Sequence, residues 1–285
     1  MSNLDNSDSI IGSNQLSKPP GFDTSLDFSN LNEISPDEAR SLKEWYETAH
    51  GDGVTDLTPF VGFLLENGPS HLKLYRAYAQ SLHEVGNLPQ VIVPLLFLHY
   101  YMSIGNSPGV LYEVVAARQW GATKQEVLET IGFTFVESGP FGGNTASGSS
   151  DYLASWDHNE ARRVKCEWPS HWKPEILLDS STLDNSIVSL LSNRAPGVLA
   201  ALHARINNAV LHTQLNPILF ILYDIHSSVA RGDVSNVVTA TNLALKAGVL
   251  PNEIIEVVGF GALYTTASQL AEIAEAIETL FPDKH

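Results

Sequence analysis

The chain has 285 residues, 44% of them hydrophobic, and such a chain can bury a sizeable core as one large domain or two smaller ones. Its net charge of −16 argues against electrostatic binding to nucleic acid or anionic lipid, because phosphate binding requires clustered Lys and Arg. A single cysteine, Cys166, excludes an internal disulfide, a CxxC redox pair and a cysteine-rich zinc site.

The N-terminal residues 1–34 are predicted to form a flexible tail. They contain neither a basic region nor a continuous apolar stretch, so they do not fit a secretory signal, and a cytoplasmic location is expected. The longest apolar runs, "VIVPLLFLHYYM" and "NPILFILYDIH", fall short of the ~20 residues that a membrane span requires. We therefore expect no membrane partner.

Helix start and stop signals predict one N-terminal helix and two series of four helices. The first helix, near 36 to 48, begins with Ser35 as N-cap, Pro36 at the first position and Glu38 at the third. The first series is predicted near 69 to 84, 89 to 104, 107 to 119 and 124 to 137. The second series is predicted near 196 to 211, 216 to 231, 234 to 247 and 251 to 279.

The two series align without a gap at an offset of 127 residues. The stretch "GNSPGVLYEVVAARQWGATKQEVLETIGF" shares eight identical positions with "GDVSNVVTATNLALKAGVLPNEIIEVVGF", and extending the alignment back to Pro69 and Pro196 gives 14 identities over 65 positions. This register indicates a tandem duplication. The chain then divides into the tail, a first repeat with its N-terminal extension, a connecting insertion and a second repeat, at 1–34, 35–137, 138–193 and 194–285.

Each repeat carries matching signals around its last two helices. Gly121 and Gly248 stand where a helix end favours positive φ. The following helix begins with a T-x-x-E or P-x-E cap, which makes capping the predicted role of Glu126 and Glu253.

Two further glycines, Gly132 and Gly259, lie inside predicted helices, where glycine costs ~1 kcal/mol relative to alanine. A close helix contact at each is the predicted reason. The insertion between the repeats begins with the Gly/Ser-rich stretch "SGPFGGNTASGSS", which is predicted to be a loop and could serve as a mobile lid or as a plain linker.

Each repeat has the same order of elements: a long apolar helix, a short break, a helix ending in "GA" or "AG", and a helix that begins T-x-x-E or P-x-E. This pattern resembles the carboxymuconolactone decarboxylase/alkylhydroperoxidase D-like superfamily. The resemblance implies an all-α fold of two tandem alkylhydroperoxidase D-like helical repeats, with a site where the third helix begins. It also implies a homo-oligomer, as a trimer of duplicated chains or, next, a dimer. A trimer of duplicated chains would contain six units, so each chain would supply two units to one ring-shaped oligomer.

The catalytic motifs of that superfamily are absent. Its thiol branch carries C-x-x-C-x-x-x-H, and the matching positions here are Asn106, Gly109 and Glu113 in one repeat and Asp233, Asn236 and Ala240 in the other. Without these thiols, a thiol peroxidase is not expected. The decarboxylase branch carries H-E-x-x-x-H, where this chain has "PGVLYE" and "SNVVTA", so Glu113 is the only ionisable group left in the segment.

Candidate catalytic residues are the equivalent histidines His99 and His226, together with Glu113. If the second and third helices of the first repeat form an antiparallel hairpin, Glu113 lies level with His99 and would orient it as a general base. The alternatives are a core histidine and a solvated glutamate. Candidate substrate-binding residues are Tyr100, Tyr112, Arg76, Asn106 and Tyr223.

These residues predict a cofactor-free lyase, decarboxylase or isomerase that acts by general acid-base proton transfer on a small cyclic acid, lactone or enolisable carbonyl compound. No metal site is predicted, because no ligand spacing supports one. The alternative is a non-catalytic member of the same fold that binds a small ligand or serves as a scaffold.

Overall fold

The structure is a computed structural model that describes residues 26–48, 59–176, 185–201, 204 and 213–281. The described residues form helices and connecting segments without any strand, which confirms the all-α prediction. In chain order the helices are α1 (Pro36–Thr48), α2 (Pro59–Asn67), α3 (Pro69–Val85), α4 (Ile92–Ile104), α5 (Ser107–Gln119), α6 (Lys124–Ser138), α7 (Pro140–Ala146), α8 (Ser150–Ser155), α9 (Asn185–Arg194), α10 (Ile218–Arg231), α11 (Val234–Lys246), α12 (Pro251–Gly261) and α13 (Ala267–Glu278).

Helices α4 and α10 pack against each other at the centre of the molecule. The next two helices in the chain flank each of them, α5 and α6 around α4, and α11 and α12 around α10. Helix α4 is buried over nearly its whole length, as its almost continuous apolar sequence requires. The central pair therefore carries both predicted histidines into the core.

The predicted helix starts at Pro36, Lys124 and Pro251 agree with the structure, and a local cap determines each of them. Ser35 and Glu38 form the reciprocal bonds of a capping box, and Glu126 and Glu253 each accept the backbone N–H at the start of their helix. The long helix predicted near 251 to 279 is wrong, because Thr266 caps a new helix, α13, after a 3-10 turn at Ala262–Tyr264.

Some predictions fall on residues outside the described part. The flexible tail at 1–34 is described only from residue 26, and the helix predicted near 196 to 211 is described only at 196–201 and 204. None of the helices in the described part of the chain has the length and apolarity needed to cross a bilayer.

Residues 156–173, here called the strap, run across both halves of the molecule. Gly121 and Gly248 both have positive φ, 93° and 87°. A Cβ on Gly121 would lie 2.4 Å from the carbonyl oxygen of Val164, and one on Gly248 would lie 2.3 Å from that of His171. Both glycines are therefore required by the backbone conformation and by the close passage of the strap.

The same strap also reaches the two capping glutamates. The Arg162 guanidinium donates to both carboxylate oxygens of Glu126, at 2.8 and 2.6 Å. Glu253 accepts from Trp172 Nε1 at 3.1 Å and pairs with His171 Nε2 at 3.0 Å. The two caps thus hold the strap as well as their own helices.

The two glycines inside helices differ. A Cβ on Gly259 would lie 2.6 Å from Leu82 Cδ2, which confirms a close contact between α12 and α3. Among the described residues no atom lies within 4 Å of such a Cβ on Gly132, so the described part of the chain does not supply the predicted contact.

The Gly/Ser-rich stretch after residue 138 is helical, and the prediction of a loop is wrong. It forms α7, a 3-10 turn at Ser147–Ser149 and α8, and α7 packs against α4 and α6. Small side chains allow this close packing, since a Cβ on Gly143 would meet the Phe135 ring at 2.9 Å. Gly143 thus accommodates a neighbouring ring, whereas Gly139, with φ of 64°, ends α6.

Candidate functional site

His226 on α10 is enclosed by aromatic rings. Its side chain is fully buried, and the rings of Phe97 and Tyr100 meet it edge to face with centroids at 4.9 and 5.7 Å. Neither of its ring nitrogens makes a hydrogen bond to any residue in the described part. Burial first, and then the charges of His99 and Arg231, lower the pKa of His226 to about 3. Its imidazole is therefore neutral at physiological pH, which argues against proton transfer by His226.

His99 on α4 is buried too, but it has a carboxylate partner. Its Nε2 lies 2.7 Å from Glu137 Oε2 near the end of α6, so the imidazole N–H donates to the carboxylate. Its ring stacks on that of Tyr223, with centroids 4.9 Å apart. The predicted pairing with Glu113 is wrong, because the α4–α5 hairpin places Glu113 beside other residues and the end of α6 supplies the carboxylate.

Asp224 on α10 completes an acidic group next to this histidine. Burial first, and then the negative charge of Glu137, raise the pKa of Asp224 to about 7, against the opposing effects of His99 and Arg231. Asp224 is half-buried, Arg231 is exposed, and the Glu137 side chain keeps 35% of its exposure. We call His99, Glu137, Asp224 and Arg231 the acid-base cluster. Asp224 is the member of this cluster whose pKa lies near neutral, and Asp224, Glu137 and Arg231 each keep part of their surface exposed.

Glu113 lies in a second group, with Tyr75, Tyr101 and Tyr264. The hydroxyls of Tyr101 and Tyr264 are hydrogen-bonded, and the Tyr75 hydroxyl also bonds Tyr264. A negative charge on Glu113 would raise the pKa of all three phenols, so its carboxyl group lies near enough to act on them electrostatically. Burial raises the pKa of Glu113 well above its usual range. We call these four residues the tyrosine cluster.

The candidate substrate-binding residues are divided between these surroundings. Tyr100 lies between the clusters, 4.9 Å from the Tyr264 ring and within the field of Arg231. Arg76 is buried on α3, where its charge acts on Tyr75. Tyr223 stacks on the ring of His99. Tyr112 is a half-buried residue of α5, and Asn106 is the N-cap of that helix.

Sequence analysis did not name Glu137 or Tyr264, which contact His99 and Tyr101 respectively, as candidate site residues. These two residues are 127 positions apart, the same offset that separates His99 from His226. The offset also pairs Phe97 with Asp224. The sequence alignment of the two repeats ended at residue 133. Extending it at the same offset would have paired Glu137 with Tyr264 and pointed to both residues.

Comparison with protein-family models, with curated proteins and with solved structures gives no match for this chain. Within the described residues, no group of His, Cys, Asp or Glu is arranged to hold a metal ion. Cys166 lies in the strap, and burial, the main cause, raises the pKa of its thiol to about 11. A thiol of this kind is a poor nucleophile at neutral pH.

Proposed function

We propose that the protein is a cofactor-free lyase, decarboxylase or isomerase that moves a proton on a small cyclic acid, lactone or enolisable carbonyl compound. The observation that carries the proposal is the acid-base cluster, in which Asp224 has a pKa of about 7 beside the His99–Glu137 pair. A carboxyl group that titrates near the working pH is well suited to both proton removal and proton return. His99 carries out neither of these two proton transfers. The carboxyl groups take the catalytic role.

In this proposal each residue has one task. The Asp224 carboxylate removes a proton from the carbon next to a carbonyl, and the resulting enolate takes a proton at another carbon to complete an isomerisation. In a decarboxylation, loss of carbon dioxide forms the enolate, and the Asp224 carboxyl group protonates it. The exposed Arg231 pairs with the carboxylate of the substrate. His99 is a positioning residue, because it is only 2% exposed and acts through Glu137.

We further propose that the chain is a tandem duplication of the alkylhydroperoxidase D-like unit. Matching conformations 127 residues apart support this: Gly105 and Gly232 have φ of 81° and 70°, and Asn106 and Asp233 both cap the following helix. The start of α13, Ala267, likewise lies 127 residues after the start of α7, Pro140.

A homo-oligomer, as a trimer of duplicated chains or next as a dimer, is part of the same proposal. Its support is an exposed apolar patch formed by Ile104, Phe135 and Phe141, with 46%, 45% and 57% exposure. Phe141 packs against Gly105, the neighbour of Ile104 in the chain, and Phe135 packs against Gly143. Large exposed apolar patches commonly mark subunit contacts. Light scattering that gave a monomer at micromolar concentration would contradict this.

A non-catalytic ligand-binding or scaffold protein of the same fold is the second candidate. The burial of both histidines favours it, because a substrate cannot touch either ring in this conformation. Exchange of substrate protons for deuterium separates the two candidates, since it reports proton transfer before the product is known.

The experiment follows deuterium uptake by NMR for a panel of lactones, β-keto acids and unsaturated cyclic acids. We expect one compound class to exchange or react, and Asp224→Asn and Glu137→Gln to lower that rate ~100-fold or more, the usual contribution of general acid-base catalysis. Glu275→Gln, at an exposed glutamate on α13, is the matched control. Unchanged rates in Asp224→Asn would overturn the proposal, and binding without exchange would favour the second candidate.

A further inference from the structure

Tyr223 on α10 contacts the acid-base cluster from inside the protein. Its ring stacks on the His99 imidazole, with centroids 4.9 Å apart and planes 11° from parallel. Its hydroxyl is hydrogen-bonded to that of Thr130 on α6, at 2.9 Å. The Tyr223 side chain is fully buried, so in this conformation it cannot touch a substrate. Any effect of Tyr223 on the chemistry of the cluster is therefore indirect.

These contacts close a circuit through three helices. Helix α6 supplies Thr130 and, seven residues later on the same face, Glu137. The Glu137 carboxylate holds His99 Nε2 at 2.7 Å, His99 stacks on Tyr223, and Tyr223 returns to α6 at Thr130. Thr130 itself donates to the Glu126 carbonyl oxygen one turn earlier, at 3.0 Å, which restrains its side chain. The imidazole is thus held both at its edge and on its face.

The three partners of His99 in this circuit have counterparts of different chemistry at the 127-residue offset. They are Leu96 for Tyr223, Val257 for Thr130 and Tyr264 for Glu137. Leu96 and Val257 are fully buried apolar residues, so the helical framework accepts apolar side chains at both places. A general requirement of the fold therefore does not explain the hydroxyl groups of Tyr223 and Thr130.

We propose that Tyr223, anchored by Thr130, is a positioning residue of the acid-base cluster. It keeps the His99 imidazole, and through it the Glu137 carboxylate, in a fixed place beside Asp224. Catalytic groups need such support from packed and hydrogen-bonded neighbours, since a misplacement of about 1 Å can lower a rate about 100-fold. This inference rests on the proposed function, in which the carboxyl groups of Glu137 and Asp224 take the catalytic role.

The first measurement needs no substrate. Carboxyl 13C NMR of the full-length protein follows the titration of Asp224, whose pKa is raised by burial first and then by the charge of Glu137. Tyr223→Leu, which copies the counterpart Leu96, releases His99 and lets Glu137 turn toward solvent, so the pKa of Asp224 should fall. Tyr223→Phe keeps the stacked ring and should retain most of the wild-type behaviour.

A double substitution shows whether the effect passes through Glu137. In a Glu137→Gln protein the charge that acts on Asp224 is already absent. Adding Tyr223→Leu to that protein should therefore change the titration of Asp224 little, whereas two independent effects would add.

Two further substitutions control for a loss of packing. Phe260→Leu removes another fully buried aromatic ring, and Thr241→Val changes a fully buried threonine to the residue found 127 positions earlier. Neither residue makes a hydrogen bond or ring contact with the acid-base cluster in the described part of the chain. Both variants should keep the wild-type titration of Asp224. Urea denaturation shows how far each variant is destabilised.

Kinetics with a substrate found by the deuterium-exchange experiment give the second measurement. Tyr223→Leu should lower kcat at least about tenfold and change KM less than about threefold, because the buried ring acts on the catalytic groups and not on the bound substrate. Tyr223→Phe should recover most of kcat, since it restores the stack on His99.

Three results would each overturn the positioning role of Tyr223. They are an unchanged titration of Asp224 in Tyr223→Leu, an equal change in Phe260→Leu, and additive effects of Tyr223→Leu and Glu137→Gln. The titration is measured without substrate, so these results are distinct from a failure of the proposed function, which unchanged exchange rates in Asp224→Asn would show.

Discussion

The carboxyl groups of Asp224 on α10 and Glu137 on α6 lie close enough for the charge of Glu137 to raise the pKa of Asp224. The two residues are far apart in the sequence and come within electrostatic reach of each other because α4 packs against both of their helices. Burial first, and then this interaction, bring the pKa of Asp224 to about 7, so folding should be linked to its protonation.

The pH dependence of stability follows from the raised pKa of Asp224. This pKa is about 7 in the folded protein and near 3.8 in the unfolded chain, so the folded state binds more protons between these values. The free energy of unfolding should therefore fall as pH rises from about 4 to about 7. Asp224→Asn removes this contribution and should make the decline shallower, as measured by urea denaturation across that range.

Glu256 on α12 provides the comparison for this experiment. Burial is the main cause that raises its pKa to about 7 as well, so Glu256→Gln should also make the decline shallower. The two effects should add if the sites are independent. A wild-type slope in Asp224→Asn would show that this carboxyl group is ionised throughout.

Replacing His226 by phenylalanine should stabilise the protein. The fully buried imidazole makes no hydrogen bond to the described residues, and its desolvation opposes folding. His226→Phe removes that cost and keeps aromatic contacts with Phe97 and Tyr100, so the free energy of unfolding should rise by about 1 kcal/mol. His99→Phe, which deprives Glu137 of its donor, should lower it instead. A loss of stability in His226→Phe would reveal an interaction that the imidazole provides.

Two glycine substitutions should have opposite effects. Gly121→Ala places a methyl group 2.4 Å from the Val164 carbonyl oxygen at a residue with positive φ, and should cost about 2 kcal/mol or more. Gly132→Ala lies inside α6, where no atom of the described residues is within 4 Å of the added methyl group, and should instead raise stability by about 0.5–1 kcal/mol. Thermal and urea denaturation of both variants give the comparison. Similar values for the two would show that the strap does not approach Gly121 in solution.

The ion pair between Arg162 and Glu126 should be important for stability. The Glu126 side chain is 1% exposed, so Arg162→Met leaves a buried carboxylate with only its capping bonds. We expect a loss of about 1–3 kcal/mol in the free energy of unfolding, the usual cost of leaving a buried polar group without its partner. Lys165→Met, which breaks an exposed pair with Glu167, should change stability by less than about 0.5 kcal/mol. An equal effect in both variants would contradict this role of the strap.

The sequence by itself determined the helical class and most of the helix boundaries. Capping boxes and helix-terminal glycines act within one turn of the chain, so Ser35 with Glu38, Thr123 with Glu126, and Gly121 could be recognised without a partner. The single long helix predicted near 251 to 279 failed where another local cap, that of Thr266, had been overlooked.

Only the tertiary structure decided which ionisable groups meet. Helical periodicity places Glu113 at a height along the hairpin, but it does not say which groups the adjoining helices bring to that height. The chain supplied Glu137 to His99 from 38 residues away, and Tyr264 to Tyr101 from 163 residues away. Burial, which raises the pKa of Glu113 and lowers that of His226, likewise depends on all the helices that cover them. Such pairings and desolvation are properties of packed surfaces, and a linear sequence does not specify them by local rules.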